Sequence, residues 1–380
     1  MSHAPAEALS RRHQAIRHAF AGQSLDALVV TSLPNVLYLT NFTGSSAIVV
    51  LTAERLYFIT DSRYVTAVEA ASEKPDRCPG LELVKVESSY DATLASLLQS
   101  MPSARVGFEA AHLTVARHEW LTATLGSRAG RPALVATENV VERARTVKDE
   151  YELRTLRIAA EVISAVVPGV FEEVRRGRSE REVALAVDWR LRRAGFERGA
   201  FETIVAAGPN GALPHARPSE RRLTEGDLVV LDFGGVYDSY CVDLTRTVSI
   251  GVASSRAREV YAAVRAAHDR AIASVGPGQS RFAIDAAARD ELASRGLGEV
   301  FGHGTGHGLG IEVHERPRIA RRRAEIDTED ESVVAGMIFT IEPGAYLPGW
   351  GGVRIEDDVV VTQTGVDVLT TATTELLEIG

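Results

Sequence analysis

The feature that most constrains this chain is a set of carboxylates placed inside otherwise apolar, strand-like runs. Asp232 ends the run LVVLD, Asp243 opens DLTRT, Glu342 ends MIFTIE, and Glu356 lies within GGVRIEDDVVV. A buried charge without a partner is costly, so a fold that buries these runs has to supply something to balance them. A hairpin turning at Tyr237-Asp238 would set Asp232 and Asp243 directly opposite on one face, their Cβ atoms roughly 5 Å apart. Carboxylates that close repel unless a proton or a cation lies between them. Two exposed aspartates on a solvated hairpin remain the plain alternative for this pair taken alone. Period-2 alternation puts Arg354 and Glu356 on one face, where the arginine balances or orients the carboxylate.

Four of the ten histidines, His215, His303, His307 and His314, fall in apolar or glycine-rich segments. His303 and His307 sit in GHGTGHGLG, whose alternate glycines argue against a helix and hence against a helical HExxH zinc site. Alternate glycines allow the backbone to lie close to a ligand, with His303 and His307 reaching the same side. Four carboxylates with at least one imidazole, and no cysteine ligand, suit a hard or borderline dication: Mn²⁺ first, Co²⁺ or Zn²⁺ as alternatives. Two dications cancel four negative charges, whereas one leaves too many uncompensated, so a dinuclear site is favoured.

The rest of the chain narrows the class. A length of 380 residues implies two domains, and 45% hydrophobic with 24% charged residues implies a globular protein. No apolar run approaches a membrane span, and MSHAPAEALSRRHQ has no apolar signal core, so no membrane partner is expected. Two cysteines, Cys78 and Cys241, make no disulfide framework and point to the cytoplasm. With no secretion expected, the glycosylation match Asn41-Phe42-Thr43 carries no weight. A net charge of −9 argues against a nucleic-acid partner. The basic clusters Arg190–Arg193 and Arg316–Arg323 read as a solvated helix face and loop, without the aromatics that single-strand binders stack on.

Strand-like runs at Ala27–Thr31, Ala47–Leu51 and Leu56–Ile59 alternate with helical stretches such as Tyr64–Ala71 and Ala92–Gln99. This is the pattern of a small α/β domain, placed at 1–142, with no GxGxxG or P-loop in it. Helical spacing from Val141 through VERARTVKDEYELRTLRIAAEVISAVV opens a long helix and a second domain, 143–380. Ser179-x-x-Glu182 is a capping box, and Gly195 closes the helix it begins. Strand-like runs follow at Phe201–Ala206, Leu228–Phe233 and on through Val248. Helices at Arg256–Val275 and Arg281–Arg295 and strands at Met337–Ile341 and Gly352–Val361 repeat the order, which hints at a duplication in an α+β domain.

LDFGGVYDSYCVDLTRT, HGTGHGLGIEVHERP, FTIEPGAY and GGVRIEDDVVV resemble, in order and spacing, the motifs of the metallopeptidase family containing Xaa-Pro aminopeptidase, prolidase and methionine aminopeptidase. The resemblance covers residues 147–380. LPNVLYLTNFTG and ITDSRY resemble the creatinase-type N-terminal domain of the proline-specific members, a domain that methionine aminopeptidases lack. The resemblance implies a pita-bread fold and two metal ions held by Asp232, Asp243, His307, Glu342 and Glu356. Asp243 and Glu356 are then shared, Asp232 serves one ion, and His307 with Glu342 serves the other. His215, His303 and His314 match active-site histidines outside the metal shell, with Thr245 and Arg354 orienting the ligands. The implied reaction is hydrolysis of the bond before proline by a metal-bridging hydroxide. Glu342 relays the proton, His303 or His314 stabilises the oxyanion, and His215 lines the proline slot. The expected activity is Xaa-Pro aminopeptidase on peptides with proline second, as a homodimer, with Xaa-Pro dipeptidase as the alternative. A dipeptidase needs a carboxylate clamp, for which Arg316 or Arg354 are candidates. A metal-free creatinase-like amidinohydrolase and a non-catalytic binding module are more remote alternatives, disfavoured by the intact ligand set.

Overall fold

Side-chain caps and left-handed turn residues set where most elements begin and end. In the computed structural model, which describes residues 4–74, 76–101, 105–126, 132–323 and 331–380, Asp61, Ser89, Thr114, Asp149, Ser179, Ser254 and Ser280 cap the helices that follow them. Each accepts a hydrogen bond from a backbone N–H of the first turn, where no intrahelical partner exists. The chain divides into two compact units, Met1–Arg145 and Thr146–Gly380.

The first unit holds strands β1 (Ala27–Val30), β2 (Ile48–Thr52), β3 (Leu56–Thr60), β4 (Leu81–Lys85), β5 (Arg105–Glu109) and β6 (Ala133–Thr137). They form one mixed sheet in the order β4-β3-β2-β1-β5-β6, with β2 antiparallel to both its neighbours. Helices α1 (Ala6–Ala21), α2 (Leu33–Thr40), α3 (Ser62–Ser72), α4 (Tyr90–Ser100) and α5 (Val115–Leu125) are interspersed with the strands, which is the expected α/β arrangement. Val29, Val50, Ile59, Leu94, Leu98 and Val106 share its core. A short helix, α6 (Val140–Thr146), ends where the division falls.

The helix expected to open at Val141 is two helices. After α6 the chain is extended: Val147 bridges Met337, and the Lys148 N–H donates to Gly336 O at 2.9 Å. The next helix, α7 (Glu150–Glu173), starts afresh on a capping box of Asp149 and Glu152. That box, Asp-x-x-Glu, was present in the sequence and outweighs the helical periodicity running through it. The Ser179–Glu182 box opens α8 (Glu180–Arg193), and Gly195 follows its end at φ +106°.

The remaining elements repeat the helix-then-strand order. Strands β7 (Arg198–Gly199), β8 (Ile204–Ala207), β9 (Leu228–Tyr237) and β10 (Tyr240–Ile250) precede helices α9 (Ser255–Ala273) and α10 (Arg281–Ser294). Then come β11 (Gly306–Gly308), β12 (Glu315–Ile319), β13 (Ile338–Ile341), β14 (Gly344–Leu347), β15 (Gly351–Arg354), β16 (Asp357–Val361), β17 (Val366–Val368) and β18 (Glu378–Ile379). One sheet runs β18-β10-β9-β7 with β8 also on β9; the other runs β12-β11-β13-β16-β17; β14 and β15 form a hairpin. Val260, Val264 and Ala267 of α9 and Ile284, Ala288 and Leu292 of α10 share a core with Phe339, Ile341, Val359 and Val361 of the second sheet.

Two expectations about these strands need correction. The β9–β10 hairpin turns at Asp238-Ser239, not Tyr237-Asp238, because both turn residues take left-handed backbone (φ 46° and 71°). That is the two-residue turn whose twist matches the flanking strands. Asp243 therefore pairs with Gly234 and Asp232 with Thr245, so the aspartates are diagonal neighbours on one face rather than directly opposite. The run Gly352–Val361 is also not one strand. β15 pairs with β14 and β16 with β13, and between them the Glu356 N–H donates to Thr245 O at 3.1 Å.

Candidate metal centre

The five candidate ligands converge from both sheets of the second unit. Asp232 and Asp243 share a face of the β9–β10 ribbon, His307 is the middle residue of β11, Glu342 follows β13, and Glu356 sits in the crossing between β15 and β16. Asp243, His307 and Glu356 each offer a ligand atom within 4.8 Å of the others'. His307 Nε2 lies 3.7 Å from Glu342 Oε1 and 3.9 Å from Asp243 Oδ2. Its Nδ1 is 3.1 Å from Gly308 O, and since a carbonyl only accepts, Nδ1 carries the hydrogen. The Nε2 lone pair is thus directed at the carboxylates, the tautomer a metal ligand needs.

The electrostatics of the cluster are unfavourable as it stands. Burial, then the charges of Glu356, Asp232, Asp358 and Glu342, push the Asp243 carboxyl well above the carboxylate range. Burial and the charges of Glu342 and Asp232 do the same to Glu356. Glu342 is pushed up to about 8, chiefly by burial. Asp232 Oδ1 and Asp243 Oδ1 are buried with no hydrogen-bond partner among the described residues. Arg354 donates to Asp232, while the other three carboxylates have no lysine or arginine ion pair among the described residues. Buried carboxylates with orphaned oxygens, facing an imidazole lone pair, fit divalent cations better than they fit any partner the chain supplies.

The oriented polar groups around the cluster form two chains that start at Arg354. In one, Arg354 Nε donates to Thr245 Oγ1 at 3.3 Å, and that hydroxyl donates to Glu356 Oε2 at 2.6 Å. In the other, Arg354 donates to the Tyr346 hydroxyl at 2.9 Å, which lies 2.7 Å from His303 Nε2. His303 Nδ1 is 2.8 Å from Gly304 O, so Nδ1 is the donor and Nε2 accepts from Tyr346. Arg354 therefore reaches Glu356 through Thr245, adds its charge to that side, and forms its direct ion pair with Asp232.

The other histidines lie close to the ligands or to one another. His303 Nδ1 is 4.0 Å from Glu342 Oε2, and the rings of His307 and His314 are 4.3 Å apart. His215 is exposed, and its charge acts on both His303 and His314. Burial, aided by Arg354, lowers His303 to about 4, and burial with His314 lowers His307 to about 4, so both are neutral at pH 7. Two of the alternate glycines are required by the fold itself. A Cβ on Gly306 would lie 1.8 Å from Thr340 O, and one on Gly308 2.1 Å from Arg316 O, so they admit the neighbouring strands.

Sequence reasoning missed Tyr346 and Arg318. Tyr346 follows Glu342 by one strand turn in FTIEPGAY, and its spacing alone gave no reason to single it out. Arg318 faces His307 across β11–β12, is exposed, and has no ion pair among the described residues. Arg316, in contrast, is paired with Glu331.

Residues 154–363 match the sequence profile of metallopeptidase family M24, and residues 12–147 that of the creatinase/prolidase N-terminal domain. An Xaa-Pro dipeptidase from Bacillus anthracis, of known structure, is 34% identical, with a TM-score of 0.90 covering 98% of this chain and 100% of that one. An X-Pro aminopeptidase from Thermotoga maritima is 30% identical, with a TM-score of 0.84 over 96% and 100% of the two chains. By sequence, an Xaa-Pro dipeptidase from Pyrococcus horikoshii is 33% identical over 356 residues, 93% of this chain and 95% of the relative. The chain belongs to metallopeptidase family M24, with the pita-bread fold and a creatinase-like N-terminal domain. No helix among the described residues is long and apolar enough to cross a membrane.

Proposed function

We propose that this chain is a dinuclear-metal exopeptidase that cleaves the Xaa-Pro bond, with dipeptides as its first substrate class. The observation that carries the reading is the cluster of Asp243, His307 and Glu356, with Glu342 beside His307, Asp232 on the same ribbon face as Asp243, and two orphaned carboxylate oxygens among them. Those five would hold two dications, Mn²⁺ first, with Asp243 and Glu356 shared. Cations bound there would acidify a water and polarise the scissile carbonyl.

The chain's own groups then do the rest. Glu342, kept deprotonated by the cations it would help hold, would take a proton from the attacking water and pass it to the departing imino nitrogen. Both ring nitrogens of His303 are engaged, with Tyr346 and Gly304, which leaves His314 as the imidazole free to donate to the developing oxyanion. His303 instead fixes Tyr346 and the wall of the space that His215 also borders, where the proline ring would sit.

The sequence alone put the aminopeptidase first; two of the three relatives above carry the dipeptidase name, and Arg318 supports that choice. Its guanidinium stands beside His307 and His314, lowering the proton affinity of both, and is free to take a substrate carboxylate. Arg316 and Arg354, the clamp candidates from sequence, are already committed to Glu331 and Asp232. The test is hydrolysis of Ala-Pro beside Ala-Pro-Ala by chelated enzyme with and without Mn²⁺. Mn²⁺-dependent cleavage of Ala-Pro alone is expected. Cleavage of both makes the aminopeptidase reading, which the Thermotoga relative favours, the correct one; cleavage of neither defeats both. Arg318→Ala should lower kcat/KM for Ala-Pro roughly tenfold to a hundredfold, the worth of a charged hydrogen bond, and leave any Ala-Pro-Ala cleavage nearly unchanged.

A further inference from the structure

Behind the two carboxylates assigned to be shared by both cations lies a second buried layer of polar groups. Arg246 is 1% exposed, and its three guanidinium nitrogens are all committed. Nε donates to Thr373 O at 2.7 Å. Nη1 donates to Thr245 O at 2.9 Å and to Glu356 O at 2.5 Å. Nη2 donates to Asp357 Oδ1 and to Ala372 O, both at 2.7 Å. A guanidinium has five N–H donors, and all five have acceptors here.

The two acids that follow Glu356 in IEDDVVV complete the layer. Asp358 Oδ2 accepts from the Asp243 N–H at 3.1 Å. The Thr370 hydroxyl donates to Asp357 Oδ1 at 2.6 Å and accepts from the Asp358 N–H at 3.1 Å. The layer thus grips the backbone of both shared ligands: Asp243 at its N–H, Glu356 at its carbonyl, and Thr245, which orients Glu356, at its own. Thr370 ties the two grips together.

We infer that Arg246, with Asp357, Asp358 and Thr370, is a positioning cluster that sets the separation of the Asp243 and Glu356 carboxylates, and through it the spacing of the two cations. The inference rests on the two-cation reading above. Burying an ion pair is a poor way to stabilise a core, since apolar residues of the same volume do as well or better. A buried guanidinium whose five donors are all taken instead specifies one geometry for the groups it holds. Here that geometry is the crossing of β10 with the β15–β16 link, the point from which both shared ligands project. The C-terminal residues Ala372 and Thr373 belong to the same support through their carbonyls.

The experiment is calorimetric titration of Mn²⁺ into the chelated full-length chain and into Arg246→Met, Arg246→Lys and Thr370→Val. Low-temperature electron paramagnetic resonance at saturating Mn²⁺ reports the coupling between paired ions. Arg246→Met should bind Mn²⁺ at least tenfold more weakly, in the range that partners of metal ligands usually command. Arg246→Lys should recover part of the loss, Thr370→Val should lose a few-fold, and the coupled spectrum should change in each. Should Arg246→Met not fold, the other two variants decide. Variants that melt earlier, yet bind Mn²⁺ as wild type does with an unchanged spectrum, would show the cluster to be core packing alone and overturn the inference. A wild-type chain that binds no Mn²⁺ removes the two-cation reading itself, and this inference with it.

Discussion

Glu109 in the first unit and Asp243 in the second are both buried carboxylates in strands, and their surroundings differ in kind. Glu109 Oε2 accepts from the N–H groups of Thr31 at 2.6 Å and Ser32 at 2.8 Å, and Oε1 from Asn35 Nδ2 at 2.6 Å. Within the second unit, Glu180 is held as fully, by Ala207 N–H, Asn210 and Ser219. Asp243 has one oxygen with no partner and three carboxylates acting on it besides Asp358. Glu109 and Glu180 are matched by donors that the fold supplies, whereas Asp243 faces three ligand carboxylates and an imidazole lone pair, the arrangement that suits a cation.

The sharpest way to break this contrast is to neutralise each acid. Asp243→Asn should abolish Mn²⁺-dependent hydrolysis, a loss beyond the roughly 10–100-fold typical of residues that merely support a ligand. At the same time it should raise the melting temperature of the metal-free protein at pH 7, because a buried like-charge contact is removed. Equal destabilisation by Asp243→Asn and by Glu109→Gln would contradict the contrast. Next in size is Thr245→Val, which cuts the Arg354–Thr245–Glu356 chain. Mn²⁺ affinity should fall roughly 10–100-fold by calorimetry with the fold intact by circular dichroism.

The pH dependence of the metal-free protein comes third. Glu342 has its folded pKa raised to about 8, so the native state holds a proton that the unfolded chain, with an ordinary glutamate, has released. Its contribution is fully present below the unfolded pKa and lost as pH rises toward about 8. His303 and His307, lowered to about 4, act the other way, adding stability as pH rises from about 4 to the ordinary histidine range. Above that range their effect is complete. Thermal stability of the chelated chain should therefore fall between roughly pH 6.5 and 8. Glu342→Gln should flatten that slope, and saturating Mn²⁺ should reverse it, since cations favour the deprotonated ligands. The smallest functional effect is expected from Glu109→Gln: about 1–3 kcal/mol of stability from mismatched buried donors, with Mn²⁺ affinity unchanged.

How much of this could be read beforehand depends on the kind of signal. Asp232, Asp243, Glu342 and Glu356 stood out because each interrupts an apolar run, and His307 because no helix explains GHGTGHGLG. The two helix pairs and the strand-helix first unit followed from periodicity. What periodicity does not carry is register and partner choice. The hairpin turn moved by one residue because Asp238 and Ser239 adopt left-handed backbone, which shifted every pairing in β9–β10 by two. Arg354 and Glu356 are two apart in sequence, yet they belong to different pairings once the strand breaks between them. Asp357, Asp358 and Arg246 sit inside motifs that were noticed, but only the three-dimensional crossing reveals what they hold. Arg318 looked like one of several exposed arginines until Arg316 proved to be paired.

The central claim is that the second unit's carboxylates are unmatched because they await two cations. It is tested most directly by equilibrium dialysis of the chelated chain against Mn²⁺, with Ala-Pro hydrolysis followed on the same samples. The account predicts that about two Mn²⁺ bind per chain, that hydrolysis appears as the pair fills, and that Asp243→Asn loses both. Hydrolysis that persists in the chelated protein, or Mn²⁺ that binds Asp243→Asn as tightly as wild type, would contradict it.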